Sequence, residues 1–176
     1  MRSLIGSLLL FASLFPLLSP PLSAQWRITS STDEMTGKKS VYALSPRVQS
    51  TRPMVSPYTG VTGQIGFGCS GQDEWVYVHF SEAPNLVGTE THDGYDIVRT
   101  RLRWDDSVVR GQFRQDWGER FLHFRPYDTA IEKIMAAGVL LVELPWYGSG
   151  DVYFRFSLAG SSDAISRARG QCRNRP

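Results

Sequence analysis

The chain has 176 residues, 41% of them hydrophobic and 20% charged, with 16 glycines, 10 prolines and two cysteines. That balance is globular; it excludes a disordered chain, a collagen-like repeat and a disulfide-dense miniprotein. Nineteen Lys and Arg against 17 Asp and Glu leave a net charge of +2, too balanced for the whole-protein field of a nucleic-acid binder.

Arg2 precedes an apolar run over 4–18, broken by Pro20 and Pro21, and Ala24 offers a small residue before Gln25. A run of about 15 residues is shorter than the roughly 20 that span a bilayer, so residues 1–24 read as a cleaved signal peptide and 25–176 as one exported β-rich domain with no later membrane span. Cleavage takes away Arg2 and leaves the charge near zero. Both cysteines survive it. In an exported chain two thiols are expected to pair, so Cys69 and Cys172 are expected to form one disulfide tying the C-terminus to an early strand. No Cys-x-x-Cys is present to suggest a thiol oxidoreductase.

In the exported part, weak alternation predicts strands over 26–30 and 40–44, an opening hairpin around a Ser/Thr/Asp-rich turn. Residues 45–63 carry Pro46, Pro53 and Pro57 among Ser, Thr and Gly and read as a long, mobile surface loop. Strands over 64–69 and 74–81 follow, flanking the turn from Ser70 to Asp73. Val76, Val78 and Phe80 fall on one face of the second strand, and Trp75, Tyr77 and His79 on the other.

The clearest geometry lies in residues 95–117, two alternating runs around Asp105-Asp106. With those two residues as the loop, Trp104 faces Ser107 and Arg101 faces Arg110. Val98, Leu102, Trp104, Val109 and Phe113 then share one face. Arg99, Arg101, Arg103, Arg110 and Arg114 share the other with Gln112. A slip of one residue would mix the two faces, which selects this register.

A strand over 120–124 precedes Thr129-Ala130-Ile131-Glu132, whose spacing predicts a capping box with Thr129 as the helix N-cap. Gly138 is placed as the left-handed residue that ends that helix. A strand over 139–144, a turn at Pro145-Trp146-Tyr147-Gly148, a strand over 151–158 and a second helix complete the chain. Ser161 or Ser162 would cap that helix, and Ile165, Ala168 and Cys172 would share its inner side. The fold class is therefore α+β: a mainly antiparallel sheet or curved sandwich with two short helices and one disulfide.

No nucleophile elbow, zinc-binding His-Glu motif or phosphate loop occurs, and no catalytic, metal or cofactor site is predicted. His92, in the polar stretch from Thr89 to Asp96, is the one position from which a hydrolase could be built, with Asp93 and Asp96 as acid/base partners or cation ligands. His79 and His123 read as structural. The arginine ladder suits an anionic partner through paired, charge-assisted hydrogen bonds. Trp26, Trp75, Trp117 and Trp146 with Tyr147 offer a second mode, stacking on a sugar in a carbohydrate- or cell-wall-binding module.

Trp26 with its Ser/Thr/Asp-rich turn, Ser40-Val41-Tyr42-Ala43, Ile65-Gly66-Phe67-Gly68-Cys69, Arg101-Leu102-Arg103-Trp104-Asp105 and Phe154-Arg155-Phe156-Ser157-Leu158-Ala159-Gly160 leading to Cys172 form an order of motifs that resembles the type VI secretion-associated periplasmic TagO (VasI-like) family. The resemblance implies a non-catalytic periplasmic accessory protein with the cysteine pair as a structural bond. Its partner would be an envelope or secretion-system protein, or an anionic cell-wall glycan, and not a nucleic acid.

Overall fold

The computed structural model describes residues 25–173; the predicted signal peptide lies outside them. Eleven strands and two helices follow in order: β1 (Arg27–Thr32), β2 (Lys39–Leu44), β3 (Val48–Gln49), β4 (Thr62–Ser70), β5 (Asp73–Phe80), β6 (Glu90–His92), β7 (Tyr95–Trp104), β8 (Ser107–Asp116), β9 (Phe121–Arg125), α1 (Tyr127–Ala136), β10 (Val139–Trp146), β11 (Gly150–Ser157) and α2 (Ser161–Arg173). The expected α+β class and the predominance of antiparallel sheet are both observed. One sheet runs β1-β2-β4-β5-β9-β8-β7-β10-β11, with β3 added to β4 and β6 to β7. Period-two alternation sorts its side chains into an inner and an outer face. Val41, Phe67, Val78, Phe113, Val142 and Phe154 are among the fully buried inner residues.

The Pro-rich segment is not the free loop its composition predicted. Within it β3 pairs with β4, Ser50 bridges Phe154 of β11, and the Thr51 N–H donates to the Tyr153 carbonyl at 2.7 Å. The far edge of the sheet is thus carried back toward β4, and the sheet curls. Met54 and Val61 are buried, so apolar side chains spaced among the prolines anchor a segment that residue type alone marked as loose. Gly63 allows the curl: a Cβ there would stand 3.2 Å from both Phe156 and Phe80.

The helices close the inner side, α2 against β2 and β4 and α1 against β5 and β9. The buried Ser161 hydroxyl donates to the Ile134 carbonyl at 2.6 Å, joining one helix to the other instead of capping its own. The Cys69–Cys172 disulfide forms as predicted, across a sequence separation of 103. Helical geometry persists past Gly170, and Ile165 and Ala168 point inward with no accessible surface.

Three local expectations are corrected. The first helix starts at Tyr127 behind Pro126, which has φ −73° and ψ 155° and no side-chain cap, so Thr129 lies inside the helix. Proline suits that place because its φ is preset and it has no N–H to leave unpaired, and Asp128 in the first turn suits the positive end of the helix dipole. Gly138 is not left-handed: Ala137 ends the helix in extended geometry, and the Gly138 N–H donates to the Asp105 carboxylate at 3.0 Å. Asp105, at φ +50° in the β7–β8 turn, also accepts from the Val139 N–H at 2.8 Å. The hairpin tip is thereby bound to the start of β10. Finally, Trp146 belongs to β10 opposite Gly150 and is fully buried, which moves the turn on to Tyr147-Gly148-Ser149.

Candidate functional site

The outer face of β7, β8 and β9 carries the predicted basic ladder in the predicted register, with Trp104 opposite Ser107 and Arg101 opposite Arg110. Gln112 lies at its centre. Arg99 and Arg125 are its direct partners on the two neighbouring strands, and Arg110 and Arg114 flank it along β8. Direct cross-strand partners have Cβ atoms about 4.5–5.5 Å apart, and same-face neighbours along a strand stand roughly 6.5–7 Å apart. Four guanidinium groups can therefore reach one patch of surface. Arg125 was absent from the sequence-predicted set because its strand lies five residues beyond the hairpin, and only the β8–β9 pairing brings it in.

Three of the predicted arginines have carboxylate partners. Arg101 makes a two-pronged bond to Glu143, with its Nε at 2.9 Å from Oε1, and that hydrogen bonding holds the Glu143 carboxyl below its ordinary range. Arg99 pairs with Glu90, and Arg114 with Asp116 at 2.8 Å. Arg114 also lies 4.0 Å over the Tyr95 ring and Arg125 4.3 Å over Tyr127, stacks that fix the planes of both guanidinium groups. Arg103 lies on the same face opposite Leu141, and its Nε is buried with no hydrogen-bond partner among the described residues. Arg110 is exposed, and neither it nor Arg125 meets a carboxylate among the described residues. A groove of about 670 Å³ runs between Arg110, Gln112, Arg125 and the Arg101–Glu143 pair, with the exposed Asp151 as a carboxylate on its far wall. A second, of about 630 Å³, shares Gln112 and Arg125 with it and reaches Tyr95 and Tyr127.

The arrangement around His92 differs from the predicted one. β6 pairs with β7 so that His92 faces Tyr95 while Thr91 faces Asp96, and alternation puts His92 and Asp96 on opposite faces. The imidazole instead stacks on Tyr95, with centroids 4.8 Å apart and planes 14° apart, and its Nε2 is 3.2 Å from Glu90. His92 thus joins the rim of the arginine face. Of the predicted aromatic platform, Trp26 and Trp146 are core residues, while Trp117 and Tyr147 are exposed, on separate turns.

Only Trp75 joins a built aromatic surface, together with residues that the sequence reading left as structural. On the outer face Gly66 is opposite Tyr77 and Gly68 opposite Trp75. A Cβ on either glycine would collide with the facing ring, so the missing side chains let both aromatics lie down across β4. Tyr42 packs edge-on to Trp75 at 6.1 Å and Phe121 edge-on to Tyr77 at 5.2 Å. The result is a groove of about 410 Å³, completed by Thr29, Leu44 and His123. Burial among these rings pushes the Tyr77 phenol up to about 12 and is the main cause holding the His123 and His79 imidazoles below their ordinary 6.5.

Because both histidines bind protons less readily folded than unfolded, stability rises with pH between their folded and unfolded values. It is expected to fall as pH drops through about 6.5 and to level off below the folded values. His79→Phe/His123→Phe should flatten the melting temperature between pH 7 and 5 in differential scanning calorimetry; an unchanged slope would show that other groups govern it.

Among the described residues no helix is long and apolar enough to cross a membrane. Comparison with family models, curated proteins and solved structures finds no match to this chain.

Proposed function

We propose that this chain is an exported, non-catalytic binding protein of the cell envelope, an accessory in the manner of the TagO family, whose outer arginine face docks an anionic partner. The observation that carries this reading is the convergence of Arg110 and Arg125 beside Gln112 with no carboxylate on either among the described residues. An arginine without a counter-ion at an open groove can form charge-assisted bonds to an incoming carboxylate or phosphate without first breaking an internal pair. Arg99 and Arg114 are held on the rim by their own acids and orient the face. Supporting the exported setting are the apolar leader of the sequence and the disulfide, a bond that persists in oxidising compartments.

The test is retention on isolated envelopes, paired with crosslinking in the cell. Arg110→Glu/Arg125→Glu should lower retention at least about tenfold and remove any crosslinks to secretion-machine components, and added salt should weaken the unaltered protein in the same direction. Equal retention and an unchanged crosslinking pattern in the charge-reversed protein would overturn the docking role. Arg101→Glu is a poorer variant because it would also strand Glu143.

A further inference from the structure

The arginine grooves and the aromatic groove are neighbours. Strand register draws one straight row across the outer face, in which Arg114 is opposite His123, His123 opposite Tyr77, Tyr77 opposite Gly66 and Gly66 opposite Leu44. Trp75 and Arg125 occupy the next outward positions of β5 and β9. Because the Trp75 ring lies over β4, a ligand leaving its face crosses β5 to reach Arg125 on β9, two strand spacings or about 10 Å at roughly 4.8 Å per strand.

The two halves differ in chemistry. None of the seven residues lining the aromatic groove carries a carboxylate, ammonium or guanidinium group, so that half attracts no ion. It offers ring faces held rigid by edge contacts and, at its border, the hydroxyls of Thr29 and Tyr42. Flat rings with a few hydroxyls suit a ligand that has C–H faces and many hydroxyls of its own, because slightly positive C–H groups meet the negative face of the ring. The other half offers Arg110 and Arg125, neither with a carboxylate partner among the described residues, and Tyr127 sets the plane of Arg125.

From this adjacency we propose that the outer face is one site for an acidic saccharide, its sugar rings lying on the half-buried Trp75 beside Tyr42 and Phe121 and its carboxylates reaching Arg125 and Arg110. This rests on the anionic-partner reading and names the partner's chemistry. An acidic peptide would use the arginines and leave the neutral platform idle. A nucleic acid could stack and pair in the same way, but the near-neutral charge of the chain lacks the field that gathers phosphate polymers.

The experiment is calorimetric titration of the protein purified from its envelope with an oligogalacturonate, its neutral methyl ester, poly-glutamate and oligothymidylate. The oligogalacturonate is expected to bind, the methyl ester at least about tenfold more weakly, and Trp75→Ala and Arg110→Glu/Arg125→Glu each to lose at least about tenfold. If poly-glutamate binds as tightly as the saccharide and Trp75→Ala is silent, the saccharide assignment falls while the anionic-partner reading stands. Tighter binding of oligothymidylate than of the saccharide overturns the assignment too. If none of the three anionic probes binds, both readings fall. Should Trp75→Ala not fold, the comparison of oligogalacturonate with poly-glutamate on the unaltered protein decides, equal affinity overturning the saccharide assignment.

Discussion

The double variant Cys69→Ala/Cys172→Ser is expected to lower the unfolding free energy by about 2–5 kcal/mol, read from the urea midpoint and m-value together, since the uncrosslinked denatured chain expands and its m-value rises. The bond closes a loop with a sequence separation of 103, and the chain-entropy model assigns roughly 4.7 kcal/mol to a loop of about 100 residues. The loss would be a large fraction of the roughly 5–15 kcal/mol that stabilises a typical domain. What the bond adds is local. Cys69 is fully buried near the end of β4, and Cys172 is partly exposed near the end of α2, so the crosslink holds the last turns of a helix whose apolar contacts thin out after Ala168. Cutting it should release that end first, visible as faster amide exchange beyond Ala168 than in β4. An unchanged midpoint would mean that Ala164, Ile165 and Ala168 hold the helix without it.

Trp146→Ala is expected to cost about 3–5 kcal/mol, the range for emptying a large aromatic from a core. Trp146 has no accessible surface and meets Phe80 edge-on at 5.6 Å, Tyr58 at 5.3 Å and Phe154 at 6.2 Å. Through Tyr58 it also anchors the Pro-rich segment, so the alanine variant should make residues 45–61 newly sensitive to protease. Trp146→Phe is the discriminating control. The indole Nε1 is buried with no hydrogen-bond partner among the described residues, so replacing it by a ring without a polar atom removes an uncompensated desolvation cost while giving up part of the packing. The phenylalanine variant should therefore lose well under half of what the alanine variant loses in chemical denaturation; equal losses would show that indole volume alone matters.

The two grooves of the outer face were legible to different degrees. The arginine ladder could be read because it lies within one hairpin, where a two-residue loop sets the register and alternation sorts the faces. Two of the residues that neutralise it come from outside the hairpin: Glu143 from β10, and Glu90 from β6, which the sequence reading took for a polar turn. The aromatic groove was missed because its signal is a pairing of Gly66 with Tyr77 and Gly68 with Trp75 across two strands. A glycine at every second position opposite an aromatic at every second position is visible in the sequence once looked for, yet its consequence appears only when the strands are aligned. Trp146 was misassigned for a related reason, since the Pro-Trp-Tyr-Gly run has the composition of a turn while the β10–β11 register extends the strand through it.

The sequence by itself determined the β-rich class, the opening hairpin, the face alternation of β7 and β8 and the pairing of the two cysteines. These depend on local periodicity, on turn chemistry over a few residues, or on there being only two thiols to join. Tertiary structure alone decided that Arg125 completes the basic face, that the Pro-rich segment curls the sheet, that His92 leaves Asp96 for Tyr95, and that a neutral aromatic groove adjoins the arginines. Each of those depends on which strands become neighbours, and neighbour choice is set by how the whole inner face is buried at once, a sum that no short stretch of residues contains.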